Sequence, residues 1–210
     1  MPTESLELKP IHAVVVTFNP DLVILNFTLT SLAPQVDGIV VVDNGGSEAV
    51  LCHLQALSKR REIVLLSQQG NIGLAAAQNL GVEAARQRGA AAVLLLDQDS
   101  ELEPMMVARL NAAWQQLQAS GQRPGLVAPS YYCAETGAEG RFLVQQGSRY
   151  VVCTCAEDDI RSVDATISSG SLIPFSVFDA VGRFDESFFI DAIDTDWCLR
   201  ARAAGYWIFA

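Results

Sequence analysis

The chain has 210 residues, half of them hydrophobic, and a formal net charge of −10. That length and apolar content exclude a disordered chain and suit one α/β domain with a sizeable core. The acidic balance excludes nucleic acid as the main partner, because a phosphate backbone calls for a basic face. Anionic ligands are expected to be met through a metal, helix N-termini and a few local basic residues.

In chain order, residues 12–18 read as a first strand, ended by Asn19-Pro20, with Pro20 in the first turn of a helix. Leu22, Leu25, Leu29 and Leu32 recur at helical spacing, and Pro34 closes that helix. A second strand over 38–42 runs into the turn-rich Asp43-Asn44-Gly45-Gly46-Ser47. A short helix is expected over about 49–57, and a third strand over 62–66. Gln68-Gln69-Gly70-Asn71-Ile72-Gly73 leads into an Ala-rich helix reaching about residue 88, with Gly89 as its stop.

An unbroken apolar run, Ala91 to Leu96, then stops at Asp97-Gln98-Asp99-Ser100. A run without polar alternation is a strand buried on both faces, and ligands collect beyond the carboxyl ends of such strands. In extended chain, residues i and i+2 point the same way, so Asp97 and Asp99 are expected to face one object. Close carboxylates repel unless a cation sits with them, and hard oxygen ligands suit Mg²⁺ or Mn²⁺ shared with substrate phosphates. A solvated strand end with two surface acids explains the spacing equally well.

After the acids, Pro104 opens a helix with Met106, Leu110, Trp114 and Leu117 along one face. The order βαβαβαβα predicts a parallel sheet with helices on both sides. The second part is less regular: a short strand over 125–128, a hairpin-like pair over 141–144 and 150–153 around Gly147, and a strand over 171–173. A short helix from Pro174 to Gly182 follows, then a helix over 191–204 stopped by Gly205. The chain ends within a strand beginning at Tyr206, so a longer parent chain truncated at its C-terminus is expected. No repeat, low-complexity linker or internal boundary divides it, which predicts a single domain.

The five cysteines (52, 133, 153, 155 and 198) form no C-x-x-C pair, which fits a reducing cytoplasm. Cys153 and Cys155 are expected to pack on one strand face, and His12 and His53, far apart in sequence, to be structural. Residues 1–10, with Glu4, Glu7 and Lys9, lack a signal-peptide core. The longest apolar run, Gly89 to Leu96, is far short of the ~20 residues of a membrane span. Peripheral membrane association is compatible with this and not readable from it.

Five pieces in order carry a resemblance. They are Val-Val-Thr-Phe-Asn-Pro at 15–20, Val-Val-Asp-Asn-Gly at 41–45, Gly-Asn-Ile-Gly-Leu-Ala at 70–75 and Leu-Leu-Asp-Gln-Asp-Ser at 95–100. The fifth is Phe-Phe-Ile-Asp-Ala-Ile-Asp-Thr-Asp-Trp-Cys-Leu-Arg-Ala-Arg at 188–202. Together they resemble family 2 glycosyltransferases, bacterial rhamnosyltransferases in particular. These have the GT-A fold, a Rossmann-like nucleotide-diphospho-sugar transferase fold with a mostly parallel central sheet flanked by helices. The likeness spans about Ala13 to Phe209 and moves the paired acids toward the metal reading.

The resemblance implies roles. Phe18 would contact the donor's pyrimidine, a core Phe being the alternative. Asp43 would accept a hydrogen bond from the base ring, a turn Asp being the alternative. Asn71 and Gly73 would form the donor-side loop, with glycine admitting a ligand and the next helix offering its N-terminus to phosphate. Asp99 would touch the metal, Mg²⁺ or Mn²⁺, with Asp97 on the ribose or the metal's water shell. Ser168 to Ser171 would be a small-residue turn near the acceptor, Ser169 and Gly170 leaving room for a sugar. Asp194 would be the general base, with Asp191 and Trp197 on the acceptor side. Acids at a helix start also serve its dipole, and Trp197 also suits a core. The family commonly has Glu-Asp where this chain has Ile193-Asp194, and Asp191 would substitute from one turn earlier. Arg200 and Arg202 would pair with these acids or with a phosphate.

The implied reaction is a metal-dependent, inverting transfer from a nucleotide-diphosphate sugar, dTDP-L-rhamnose by likeness. The acceptor would be a hydroxyl of a glycan or lipid-linked saccharide of a bacterial surface. The enzyme would be cytoplasmic, at the inner face of the membrane. Two alternatives are a non-catalytic nucleotide-sugar-binding domain and a haloacid-dehalogenase-like phosphohydrolase. Against the second, the acid pair follows the fourth strand rather than the first, and no lysine follows Lys59.

Overall fold

The computed structural model of the chain describes residues 7–61, 63–155 and 159–210. The first half is β1 (Ile11–Thr17), α1 (Leu22–Leu32), β2 (Gly38–Asp43), α2 (Glu48–Arg61), β3 (Val64–Ser67), α3 (Leu74–Gln87), β4 (Ala92–Asp97) and α4 (Met106–Ala119). Glu62, expected to begin the third strand, lies outside the described residues, as does Glu4. The second half is β5 (Pro124–Val127), β6 (Phe142–Gln146), β7 (Arg149–Cys153), β8 (Ser162–Val163), β9 (Leu172–Pro174), α5 (Phe175–Val181), α6 (Ile193–Ala203) and β10 (Trp207–Phe209).

One sheet runs in the order β3-β2-β1-β4-β9-β5-β10-β8, and β6 and β7 form a separate hairpin. The first four strands pair in parallel, with Val16 opposite Asp97 and Thr17 opposite Asp43. This register brings the ends of β1, β2 and β4 to one edge, which is what places the site. Val14, Val15, Val40, Val41, Leu94 and Leu95 are almost fully buried inside it. Each such side chain contributes about 1.5–3 kcal/mol relative to exposure, which explains the unbroken apolar runs.

Beyond β4 the sheet is not parallel throughout. β9 runs antiparallel to β4 on one side and β5 on the other, while β10 lies parallel to β5 and antiparallel to β8. A helix-crossover pattern could not announce this, because β9 is reached by a long excursion through the hairpin.

The helix starts predicted at Pro20 and Pro104 are displaced. Asp21 caps α1, its carboxylate accepting the N–H of Val23 at 2.8 Å and of Ile24 at 3.1 Å, so Pro20 stands before the helix. Pro104 stands before Met105, whose φ of 66° begins the entry to α4. Pro34 falls in a 3₁₀ turn that follows α1. His12 is the second residue of β1, at the far end of the strands from Asp97, and His53 approaches Asn26 across α1 and α2 at 3.3 Å, which accords with structural roles. Cys155 lies beyond the end of β7, so it does not share a strand face with Cys153; both pack against the core.

Candidate active site

Asp97 is the last residue of β4, and Gln98-Asp99 is a turn rather than more strand. Strand alternation therefore does not aim Asp99; the turn does. Two clamps hold that turn. Gln98 Oε1 accepts the N–H of Phe18 at 2.8 Å, and the Gln98 carbonyl accepts the Thr28 hydroxyl at 3.1 Å. On the other side Ser169 Oγ accepts the N–H of Asp97 at 3.1 Å and lies 2.8 Å from Ser100 Oγ.

The turn around Ser169 and Gly170 is laced to β4. The Gly170 N–H donates to the Leu95 carbonyl at 2.8 Å, and the Leu95 N–H donates to the Ser171 carbonyl at 3.0 Å. Residues predicted for the acceptor side thus lie against the strand that carries the acids. Asp194 arrives from α6, just after Ala192, whose φ of 64° is rare for a residue with a Cβ.

Electrostatics report how close these acids are. Asp97 is exposed as a residue, yet the protein packed around the strand end desolvates its carboxyl. With the added repulsion of Asp99 and then Asp194, this pushes its pKa up to about 6. Burial raises Asp194 as well, opposed by hydrogen bonds from the Ser168 N–H and hydroxyl. None of the ion pairs among the described residues includes Asp97, Asp99 or Asp194. Arg200 instead pairs with Asp196 at 2.8 Å and donates to the carbonyls of Val181 and Arg183, and Arg202 pairs with Asp164. Arg200 therefore meets one helix-start acid, and a phosphate role for either arginine is not supported.

Asp99 and Asp194 both lie near enough to repel the charge of Asp97, and among the described residues none of the three has an ion-pair partner. This donor set fits a hard divalent cation held by one or two carboxylates and completed by a ligand's phosphates. Among the described residues no group of three metal-ligating side chains forms a cage of its own.

The raised Asp97 has a consequence for stability. Its folded pKa exceeds the unfolded value, so its contribution is fully present below about pH 4 and is lost as pH rises through about 6. In cation-free buffer, Asp97→Asn is expected to raise the melting temperature at pH 7.5 relative to wild type. At pH 3.5, where the carboxyl is already neutral, the gain should vanish. Melting curves at the two pH values check this; an equal gain at both would contradict it.

On the donor side Phe18 is 46% exposed at the end of β1, which sets aside the core alternative. Asp43 is 1% exposed. Its Oδ1 accepts the Gly46 N–H at 3.0 Å and its Oδ2 the Ser67 hydroxyl at 3.3 Å, so it braces its own turn from within the protein. Asn44 ties that turn to the donor-side loop: its amide donates to Asn71 Oδ1 at 2.9 Å, and its Oδ1 accepts the Ile72 N–H at 3.0 Å. Gly45, at φ 84°, lets the two loops meet; a Cβ there would lie 2.4 Å from the carbonyl carbon of Gly70.

Two of the N–H groups at the start of α3 are already engaged within the protein. Asn71 Oδ1 accepts the Gly73 N–H at 2.9 Å, and the Phe189 carbonyl accepts the first helical N–H, that of Leu74, at 2.7 Å. Gly73, at φ 90°, makes room for Phe189: a Cβ would press on its ring and carbonyl at 3.0 Å. Asn71 and Gly73 thus join the donor-side loop to the segment that carries Asp191 and Asp194.

Two acceptor-side expectations are corrected. Trp197 is 1% exposed, donates its indole N–H to the Gly182 carbonyl at 3.0 Å and packs on Phe178 and Phe184, so it is core. Asp191 is exposed and precedes Ala192, outside the helix, so it does not stand one helical turn ahead of Asp194. Cys198, one turn after Asp194, is buried, which pushes its thiol up to about 12 and leaves it no nucleophile. Sequence reasoning missed Gln98, Asn44 and Ser100 as architects of the site. The available signal was polar side chains standing directly after buried apolar runs.

Comparison with known proteins now bears on this arrangement. Residues 13–131 match the model of Glycosyl transferase family 2. The dTDP-rhamnosyl transferase RfbF of Shigella flexneri is 32% identical over 197 residues, covering 90% of this chain and 62% of that protein's length. Among solved structures, GalNAc-T7 with UDP, GalNAc and Mn²⁺ superposes with a TM-score of 0.72 at 14% identity, over 96% of this chain and 42% of that one. S. aureus TarS 1–349 in complex with UDP gives 0.63 at 16% identity, over 95% of this chain and 56% of that one. These structures share the GT-A fold, and the family match sets aside the phosphohydrolase alternative. The matched stretch is more than half of the chain and runs from within β1 through β5, and the chain belongs to glycosyl transferase family 2.

Proposed function

We propose that residues 1–210 form one catalytic domain of an inverting, divalent-cation-dependent glycosyltransferase, with dTDP-L-rhamnose as donor. The single observation that carries this reading is the end of the central strand, where Asp97 is repelled by both Asp99 and Asp194 and no ion pair among the described residues includes any of the three. The donor follows the name of the Shigella flexneri relative, and the cation accords with the Mn²⁺ of GalNAc-T7.

Asp99 would hold the Mg²⁺ or Mn²⁺, with Asp97 on its water shell or the donor ribose. When bound, the ion supplies charge stabilisation to the leaving diphosphate. Phe18 presents an exposed ring for the pyrimidine to stack on. Asp194 takes the proton from the acceptor hydroxyl, and its raised pKa makes it a better base than an ordinary carboxylate. The hydroxyl oxygen bonds to the anomeric carbon as the bond to the diphosphate breaks on the opposite face, inverting the centre. Ser169 and Gly170 leave space on the acceptor side of the acids. The acceptor is a sugar hydroxyl of a lipid-linked surface glycan, met in the cytoplasm at the membrane's inner face. Among the described residues no helix is long and apolar enough to cross a membrane.

A thermal-shift panel of nucleotide sugars, with and without Mn²⁺, tests the reading. A ligand at 100 times its Kd stabilises by about 2.7 kcal/mol, roughly 5–10 °C for a chain of this size. dTDP-L-rhamnose with Mn²⁺ is expected to give the largest shift, reduced by chelation. No shift from any nucleotide sugar in either condition would sink it.

A further inference from the structure

The buried face of α3 is mostly small and apolar, with Gln78 and Asn79 as its polar members. Asn79 is 4% exposed in the body of the helix, where asparagine is a poor helix former and a buried amide without partners is costly. Its partners all come from the segment between α5 and α6. Its Oδ1 accepts the Phe184 N–H at 3.1 Å, and its Nδ2 donates to the Phe184 carbonyl at 3.0 Å and to Glu186 Oε1 at 2.9 Å. This one side chain takes both backbone groups of Phe184, as a neighbouring strand would. Phe184 in turn seats the helix that carries Asp194. Its ring lies 5.9 Å from that of Trp197 on α6, and Phe184 lines the same small cavity as Asp194. Trp197 donates to the Gly182 carbonyl at 3.0 Å, and Arg200, also on α6, donates to the carbonyls of Val181 and Arg183. α6 is therefore docked on residues 181–184, and Asn79 docks Phe184 and Glu186 on α3.

We infer that Asn79 is a positioning residue: it fixes where Asp194 stands relative to the donor-side loop that opens α3. The Leu74 N–H, at the start of the same helix, holds the Phe189 carbonyl, so the segment leading to Asp194 is tied to α3 at two places. α3 itself is held by the sheet: a Cβ at Gly81 would meet Val14 at 2.3 Å and Val42 at 3.1 Å. Loss of the Asn79 amide therefore leaves α3 and the donor-side loop in place and frees the segment on which α6 stands. A displacement of about 1 Å in a reacting group can cost on the order of 10²-fold in rate. The residues assigned to the donor all precede residue 100, so the loss should fall on kcat rather than on the donor KM.

This role rests on Asp194 acting as the base. The experiment measures steady-state release of dTDP from dTDP-L-rhamnose with Mn²⁺, water serving as the acceptor, for wild type, Asp194→Asn, Asn79→Ala, Asn79→Asp, Glu186→Gln and Asn79→Asp combined with Glu186→Gln. Melting curves establish that each is folded at the assay temperature. Asn79→Ala and Asn79→Asp are each expected to lower kcat about 10- to 100-fold with the donor KM within about twofold. Asn79→Ala adds no charge and favours the helix, so it decides the matter if Asn79→Asp does not fold. Asn79→Asp sets a carboxylate against Glu186. Glu186→Gln, near wild type by itself, supplies an amide that can donate to that carboxylate and should recover kcat several-fold. A contact that only stabilised the fold would lower the melting temperature and leave the kcat of the folded enzyme unchanged. Wild-type kcat in either folded Asn79 variant, beside an inactive Asp194→Asn, overturns this inference alone. So does a rise in donor KM at unchanged kcat, or a double variant no more active than Asn79→Asp. Full turnover in Asp194→Asn removes the base assignment, and the role of Asn79 with it.

Discussion

Asp194→Asn is expected to lower turnover by about 10²- to 10⁴-fold, the range for losing a general base, while leaving donor affinity nearly unchanged. The substitution keeps the shape of the side chain and an oxygen that can accept from Ser168. What disappears is the ability to take a proton. At 10²-fold the lost transition-state stabilisation is about 2.7 kcal/mol. Asp194 lies at the start of α6 among otherwise buried side chains, with Ile193, Trp197 and Cys198 forming the packed face. The isosteric change should therefore not disturb the fold, and a melting curve close to wild type is part of the expected result. Steady-state release of dTDP, together with donor binding by calorimetry, reads both quantities. A kcat within tenfold of wild type would remove Asp194 from the chemistry.

Asp99→Asn should fail differently. The charge that it contributes is expected to act on the cation and through it on the departing diphosphate, so both turnover and metal-linked donor binding should suffer. Loss of one such electrostatic contact typically lowers the rate on the order of 10²-fold or more. Asp99 is exposed in a turn, held by the clamps on Gln98 and Ser100 rather than by its own side chain. The variant should thus fold normally, while Mn²⁺ no longer tightens donor binding. Titrating donor with and without Mn²⁺ separates the two variants: Asp194→Asn keeps the metal effect and Asp99→Asn loses it. An equal Mn²⁺ effect in wild type and Asp99→Asn would contradict the assignment.

The first half of the fold was legible because buried parallel strands announce themselves. Residues 38–42 and 91–96 are continuous apolar runs, and the strands found there begin and end within a residue of them. The sheet order beyond β4 was not, because β9 has three residues and touches β5 through a single pair, Val127 with Leu172. So short a segment has no period to read. In the site, Asp97, Asp99 and Asp194 could be picked out by residue type and by likeness, and the fold brings them together. Asp43 and Trp197 illustrate the limit. An acid after a strand and a tryptophan one helical turn from a base look alike in sequence whether they face the cleft or the core. For Asp43 the outcome was decided by Gly46 and Ser67, which satisfy its oxygens from within the protein. For Trp197 it was decided by the aromatic cluster with Phe178 and Phe184. Neither set of partners is visible from the motif alone.

The narrow seam at β9 also bears on how such chains diversify. Phe18, Asn71, Asp97 and Asp99 all precede residue 100, whereas Ser169, Gly170 and Asp194 follow it. The later portion is stitched to β4 through Leu172, Ile173 and Pro174 opposite Leu94, Val93 and Ala92. A graft that brings in a foreign C-terminal portion, with its own taste in second substrates, must keep this splice together with the Gly170–Leu95, Ser169–Asp97 and Leu74–Phe189 hydrogen bonds. The proton acceptor would still land beside the inherited acid pair.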